Sequence, residues 1–224
     1  MEKIIEVKNL TKIYPQPNSE IIIFENLSFE IKKGDFVSIT GPSGSGKTTL
    51  LNIISALDSK YSGEVFFMGR DISKMKEEEK NKMRLKEIGF VFQFDSLLED
   101  FNIIENIEMP ALILNDKKSI KKGMELLKKW GMEDKAYKKP QELSGGEKQR
   151  TAILRAIRNN PSVIIADEPT GNLDHETAIK VMNDFKKLNQ EGSTIIMVTH
   201  NMELARIFSD KIYSLSKTEL IKIL

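Results

Sequence analysis

The sequence predicts an α/β fold: a mainly parallel sheet with crossover helices, entered through N-terminal strands and interrupted by a helical subdomain. Apolar strand-like runs at 163–166 and 194–198 alternate with helical stretches, the mark of parallel strands joined through helices. The run Phe36-Val37-Ser38-Ile39-Thr40 passes through a glycine-rich loop directly into a helical pattern over Thr48 to Leu57. Ahead of it, β-branched runs at Ile4 to Val7, Ile21 to Phe24 and Leu27 to Ile31 read as further strands, with Pro15 and Pro17 marking turns. Between the two halves of the sheet, Ile103 to Leu114 and Ser119 to Trp130 carry apolar residues at helical spacing. Lys74 to Glu87 is dense in mixed charge, and Lys74-Met75-Lys76-Glu77-Glu78-Glu79-Lys80 reads as a solvated helix face with (i, i+4) pairs, not a binding tract.

Composition narrows the function. At 224 residues the chain is long enough for one substantial core, and 40% hydrophobic with 30% charged residues argues against disorder. Lys plus Arg number 34 against 33 for Asp plus Glu, so no general basic excess draws the chain to nucleic acid or anionic lipid, and no nucleic-acid partner is expected. The longest apolar stretches fall far short of the roughly 20 residues a membrane helix needs. The start, Met1-Glu2-Lys3-Ile4-Ile5-Glu6-Val7, lacks a secretory apolar core, so a cytoplasmic location is expected. The absence of Cys removes any disulfide framework or thiolate metal site.

Gly41-Pro42-Ser43-Gly44-Ser45-Gly46-Lys47-Thr48 fits G-x-x-x-x-G-K-[ST] and stands between a strand and a helix, where that pattern binds phosphate. Its glycines let backbone N–H groups turn toward a triphosphate, and the helix N-terminus adds roughly half a positive charge. In such a loop the lysine, Lys47, reaches the β- and γ-phosphates and the Thr48 hydroxyl ligates Mg²⁺. A buried strand ending in acid completes a site of this kind, and Val163-Ile164-Ile165-Ala166-Asp167-Glu168 supplies one. Successive strand residues face opposite sides, so the two acids can share a task only if the strand is ending. The simplest division puts Asp167 on the magnesium shell and Glu168 on the attacking water as general base; a plain N-cap cluster is the alternative. His200 follows the strand Ile195 to Thr199, at the carboxyl end where open α/β sheets bind ligands, and could sense or orient the γ-phosphate. The other histidine, His175, begins a helix after Asp174 and reads as structural.

Leu143-Ser144-Gly145-Gly146-Glu147-Lys148-Gln149-Arg150 resembles the signature sequence of ABC-type ATPases. Physically it is a second anion cradle, a serine and two glycines opening a helix. The resemblance spans nearly the whole chain and implies a P-loop NTPase core with a parallel sheet, an N-terminal antiparallel β subdomain, and a helical subdomain over about 72–158 inserted in one domain of residues 1–224. It implies ATP and Mg²⁺ as ligands, and Tyr14 as the ring that stacks on adenine. The phosphates would lie on Gly41, Pro42, Ser43, Gly44, Ser45, Gly46, Lys47, Thr48 and Thr49, with Ser144, Gly145, Gly146 and Glu147 acting on the nucleotide of a second subunit. Gln93 matches the family glutamine that reaches magnesium and water, giving Thr48, Gln93 and Asp167 as metal residues and Glu168, His200 and Gln93 as catalytic ones. Asn172-Leu173-Asp174 matches the loop that crosses between subunits.

The family resemblance further implies a head-to-tail homodimer sandwiching two ATP and an integral-membrane permease partner, placing the chain on the inner face of the membrane. Phe92-Gln93-Phe94-Asp95-Ser96-Leu97-Leu98-Glu99-Asp100-Phe101, Glu105-Asn106 and the stretch Glu168 to Asp174 resemble the lipoprotein-releasing (LolD-type) and macrolide-exporter-type subfamily. Phe94, Leu97, Leu98 and Phe101 would either line a groove for a cytoplasmic helix of the partner or pack the helical subdomain internally. A cell-division ATPase stays within the same reading. A nucleic-acid-maintenance ATPase would need a coiled-coil or zinc insertion between 48 and 144, where neither heptads nor cysteines occur, and a soluble ABC regulator would usually carry two cassettes.

Overall fold

The computed structural model describes all residues except 1, 18, 94–96, 116–118 and 217–218, with the backbone alone at 119–120. Strands β1 (Lys3–Gln16) and β2 (Ser19–Lys32) form a long antiparallel hairpin, extended by β4 (Ser62–Phe67) and β5 (Arg70–Asp71) into a four-stranded sheet of order β2-β1-β4-β5. The runs expected as separate strands at 21–24 and 27–31 are one strand. Asn26, at φ 56°, sits where the β1–β2 register shifts, and asparagine tolerates that left-handed backbone. The bulge lets Phe24 and Leu27 both face inward although they stand three positions apart, which in a regular strand would put them on opposite faces.

The second sheet has the order β10-β9-β3-β8-β7-β6, built from β3 (Phe36–Thr40), β6 (Ile88–Val91), β7 (Val163–Asp167), β8 (Thr194–Val198), β9 (Lys211–Leu215) and β10 (Leu220–Lys222). All pairings are parallel except that of β10, the antiparallel edge. Both faces are covered, which is why β3, β7 and β8 read as nearly unbroken apolar runs. Alternate residues feed two cores. Phe36, Ile164, Ala166, Ile195 and Met197 join the core formed with α3 (Ile103–Ile113), α5 (Gly145–Ile157) and α6 (His175–Gln190). Val37, Ile39, Val163, Ile165, Ile196 and Val198 join the other, shared with α1 (Lys47–Ile54) and the antiparallel sheet.

The interval 72–158 holds α2 (Glu77–Glu87), α3, α4 (Ser119–Lys129) and α5, with one strand of the parallel sheet between α2 and α3. Strand β6 lies within it and pairs with β7 in the parallel sheet, because Ile88-Gly89-Phe90-Val91 is a four-residue apolar run that only a covered sheet can bury. The charged run at 74–80 also differs from a fully solvated face. Lys80 is 6% exposed; it donates to Glu77 Oε1 at 3.0 Å within α2, and to Ser59 Oγ at 2.8 Å, which anchors α2 to the segment after α1. Among the described residues no helix is long and apolar enough to cross a membrane.

Candidate functional site

The carboxyl ends of β3, β7 and β8 lie side by side, with Ile39 and Asp167 both in register with Val198. From β3 the chain turns through 41–46 into α1. Gly46 occupies the N-cap of α1 at φ 91°, and a Cβ there would overlap the side chains of Ile23 and Phe24. No side chain caps α1, so the first N–H groups of the helix remain available to an anion. Lys47 Nζ donates to the carbonyls of Gly41 and Pro42, each at 3.0 Å, which holds the ammonium over the loop. The Ser45 hydroxyl is buried beside Gly41 and has no hydrogen-bond partner, an unsatisfied group in a loop otherwise shaped for oxygen ligands.

Thr48 and Asp167, 119 residues apart, meet here: the Thr48 hydroxyl donates to Asp167 Oδ2 at 2.8 Å. Burial pushes the Asp167 carboxyl above its ordinary range. The Thr48 bond opposes that, the neighbouring Glu168 charge adds to it, and Lys47 opposes it. Both donors are hard oxygens, the kind magnesium prefers, and magnesium keeps several waters and phosphate oxygens around few protein ligands. The pair therefore fits that ion, although no cluster of three or more His, Asp or Glu suited to a metal occurs among the described residues.

Strand β7 ends at Asp167, and Glu168 turns out of it at φ 48°, a left-handed backbone that costs about 1–3 kcal/mol in a residue other than glycine. That turn lets two adjacent acids serve one cleft. The Glu168 N–H donates to the Val198 carbonyl at 2.9 Å, and Oε2 accepts from the His200 backbone N–H at 3.2 Å and lies 2.9 Å from His200 Nδ1. The Glu168 side chain is 14% exposed and that of His200 68%, so the imidazole covers the carboxylate on the solvent side. Gln93 follows β6, accepts a 3.4 Å bond from Asn172 Nδ2 on its carbonyl, and sends its amide past Gly171, where a Cβ would come within 2.9 Å.

These groups enclose a cleft of about 340 Å³ lined by Ser43, Gly44, Gly46, Lys47, Thr48, Thr49, Gln93, Asp167 and Glu168, with Ile23 and Val198 as its apolar wall. Ile23 was missed by sequence reasoning, since which face of β2 meets the loop depends on the bulge at Asn26. Tyr14 is not among the lining residues; it stands on β1, 41% exposed, with the Lys12 ammonium 4.6 Å from its ring centre. Ser144, Gly145, Gly146 and Glu147 also lie outside the cleft, at the start of α5. There Leu173 Cδ2 is 3.4 Å from where a Cβ on Gly145 would be, and Thr177 occupies the corresponding place at Gly146.

The profile of the ABC transporter family matches residues 24–171, which include the phosphate loop, the signature and the acidic strand. The chain belongs to the ABC transporter family. It is 44% identical over 222 residues to an uncharacterized ABC transporter ATP-binding protein of Methanocaldococcus jannaschii, covering 98% of this chain and 99% of the relative. It is 45% identical over 206 residues to the lipoprotein-releasing system ATP-binding protein LolD of Buchnera aphidicola, covering 91% of this chain and 90% of the relative. A solved dimeric structure of the ATP-binding cassette MJ0796 in a post-hydrolysis state, bound to ADP and Pi, superposes with a TM-score of 0.86 at 42% identity over 96% of each chain. This ABC protein is accordingly an ATP-binding, ATP-hydrolysing subunit with the P-loop fold, an antiparallel β subdomain and helices.

A larger apolar groove, about 580 Å³, opens between α2, β6, α3 and α5 and is lined by Phe90, Phe92, Pro110 and Ile113 together with Arg84 and Arg155. Of the four residues expected to line a groove, Leu97 is instead buried in the core at 6%, while Leu98 and Phe101 are partly exposed. Phe94 lies outside the described residues.

Proposed function

We propose that this ABC transporter ATPase acts as a head-to-tail pair closed around two ATP molecules and energises a separate integral-membrane subunit from the inner face of the membrane, in lipoprotein release or a related mechanotransmission step. The observation that carries the hydrolytic part is the meeting of Glu168, the Thr48–Asp167 bridge and Lys47 around one cleft. Lys47, Ser45 and the N–H groups opening α1 hold the β- and γ-phosphates. Thr48 and Asp167, with Gln93 beside them, would hold magnesium, which when bound would neutralise charge on the phosphate oxygens. Water attacks the γ-phosphorus, Glu168 accepts its proton, the bond to the bridging oxygen breaks, and ADP and inorganic phosphate leave. His200, bonded to Glu168, keeps that carboxylate aimed and meets the γ-phosphate through its exposed edge. Tyr14 stacks on adenine.

The pairing rests on the signature residues lying outside their own subunit's cleft, and on the dimeric state of the solved cassette. Lipoprotein release is favoured over antibiotic export or cell division by the LolD relatives of Buchnera and Francisella, the latter 43% identical over 221 residues. The apolar groove lined by Phe90 and Phe92 is where a cytoplasmic helix of the membrane subunit would dock. The test uses Glu168→Gln, expected to bind ATP and slow turnover by at least about a hundredfold, as loss of a general base does. Captured from native membranes with Mg-ATP, the trapped variant should bring down a membrane protein of few helices with a large external domain. A many-helix permease, or no membrane partner, would overturn the pathway, and turnover at the parent rate would remove Glu168 as the base.

A further inference from the structure

Lys12, midway along β1, is only 2% exposed, one of the largest fully buried side chains among the described residues. Its ammonium is held at three points. It lies 2.7 Å from Asp58 Oδ2, donates to the Lys60 carbonyl at 2.6 Å, and stands 4.6 Å from the centre of the Tyr14 ring. Asp58 is itself tied to α1, because its N–H donates to the carbonyl of Asn52 at 3.0 Å. A continuous path therefore runs from the Tyr14 ring through Lys12 and Asp58 to α1, whose other end begins at Lys47 and Thr48 in the phosphate cleft.

Stability alone is a weak reason for this arrangement. Burying a lysine–carboxylate pair carries a desolvation penalty that an apolar side chain of similar volume avoids. What the ammonium supplies that an apolar residue cannot is attraction to the face of an aromatic ring. Tyr14 as a residue is 41% exposed with Lys12 over one face of its ring, so a planar ligand would take the opposite face. A cation behind the ring also draws π-electron density away from the open face, which reduces its repulsion with an electron-rich base.

We propose that Lys12 is a positioning residue for nucleotide binding: its ammonium clamps one face of Tyr14, presents the other to the adenine base, and sets the distance from that platform to the phosphate loop through Asp58 and α1. The inference rests on Tyr14 being the adenine platform, and the test separates the two.

The affinities of ATP and of base-free tripolyphosphate are measured for the full chain, Lys12→Met, Tyr14→Ala and the double variant, with steady-state KM and kcat alongside. Tyr14→Ala should weaken ATP about tenfold, within the range for a lost base–aromatic stack, and leave tripolyphosphate unchanged. Lys12→Met should weaken ATP about fivefold, in the range of one cation–π contact, again without affecting tripolyphosphate, and the loss should fall on KM rather than kcat. The double variant should bind ATP no more weakly than Tyr14→Ala, since the two side chains act as one unit. Additive losses, or an equal loss for both probes, would overturn the role of Lys12. A Tyr14→Ala protein with parent ATP affinity overturns the adenine platform and Lys12 with it, whereas a weakened Tyr14→Ala beside a parent-like Lys12→Met overturns Lys12 alone. If Lys12→Met does not fold, Asp58→Asn carries the same test: an ATP-specific loss of about twofold is expected for a loosened cation–π contact, and parent affinity overturns the proposal.

Discussion

Glycine caps the start of α1 and opens α5, and both helix ends are expected to face phosphate, but their N-termini are closed in opposite ways. At α1 the N-cap is Gly46 and no side chain accepts from the first turn. At α5 Ser144 forms a complete capping box: its N–H and its hydroxyl both donate to Glu147 Oε2 at 2.8 Å, and the Glu147 N–H donates back to Ser144 Oγ at 3.4 Å. Glu147 also pairs with Lys135 at 3.3 Å. The Ser144 backbone N–H, then its hydroxyl, hold the Glu147 carboxyl below its ordinary range against a burial penalty, with Lys135 helping. One helix end is thus left without a side-chain cap. The other is satisfied internally and can offer its serine only by giving up the bond to Glu147, which suits a site completed across a subunit boundary.

The contrast is broken most severely by adding a methyl group at each end. Gly46→Ala meets a left-handed backbone costing about 1–2 kcal/mol, and an overlap with Ile23 and Phe24 costing about 1–3 kcal/mol more. It should lower Tm by at least about 5 °C and abolish nucleotide binding. Gly146→Ala at α5 would bring its Cβ into the Thr177 methyl, an overlap costing about 1–3 kcal/mol, but it keeps a helical backbone and gains about 0.5–1 kcal/mol of helix propensity, so calorimetry should find it less destabilised than Gly46→Ala. Equal losses at the two ends would erase the distinction drawn between them.

Charge and hydroxyl removal come next. Lys47→Ala should weaken ATP binding by about tenfold to a hundredfold, the range for lost charge-assisted bonds, in a fluorescent-nucleotide titration. Ser144→Ala should leave ATP binding to the isolated subunit at the parent value, abolish hydrolysis, and cost about 1 kcal/mol of stability through the lost cap. Loss of ATP binding in that variant would place the signature in its own subunit's cleft.

The smallest expected effect concerns Asp167. Its folded carboxyl sits above the unfolded value of 3.8, so ionisation works against folding once the pH exceeds that value. Asp167→Asn should therefore raise Tm at pH 7, lose the benefit as the pH falls below 3.8, and inactivate the enzyme. Glu147 has the opposite sign. Its depressed carboxyl contributes stability above 4.5 that disappears as the pH falls through its lower folded value, and Glu147→Gln should flatten that acid limb.

Much of this protein was legible in the chain because the informative features are local. The loop 41–48, the acidic strand 163–168 and the serine-glycine start of α5 each carry their chemistry within a few consecutive residues, and β3, β7 and β8 appear as apolar runs because both faces of their sheet are covered. Strand facing was harder to read. The bulge at Asn26 changes which side of β2 looks at the phosphate loop, so Ile23 could not be assigned, and Lys80, inside a run of alternating charge, is buried by a contact with Ser59 that lies 21 residues away.

The order of residues established the α/β class, the phosphate loop and the residue types available for chemistry, since backbone dihedral preferences and hydrophobic periodicity act over a few positions. Folding alone brought Thr48 to Asp167, turned Glu168 against His200, and set Lys12 between Tyr14 and Asp58. Apart from Lys12 and Tyr14, two positions apart on β1, those partners are separated by tens of residues or more. Their meeting depends on strand register, on a left-handed turn at the end of β7, and on how much water the packed helices exclude, none of which a local pattern encodes.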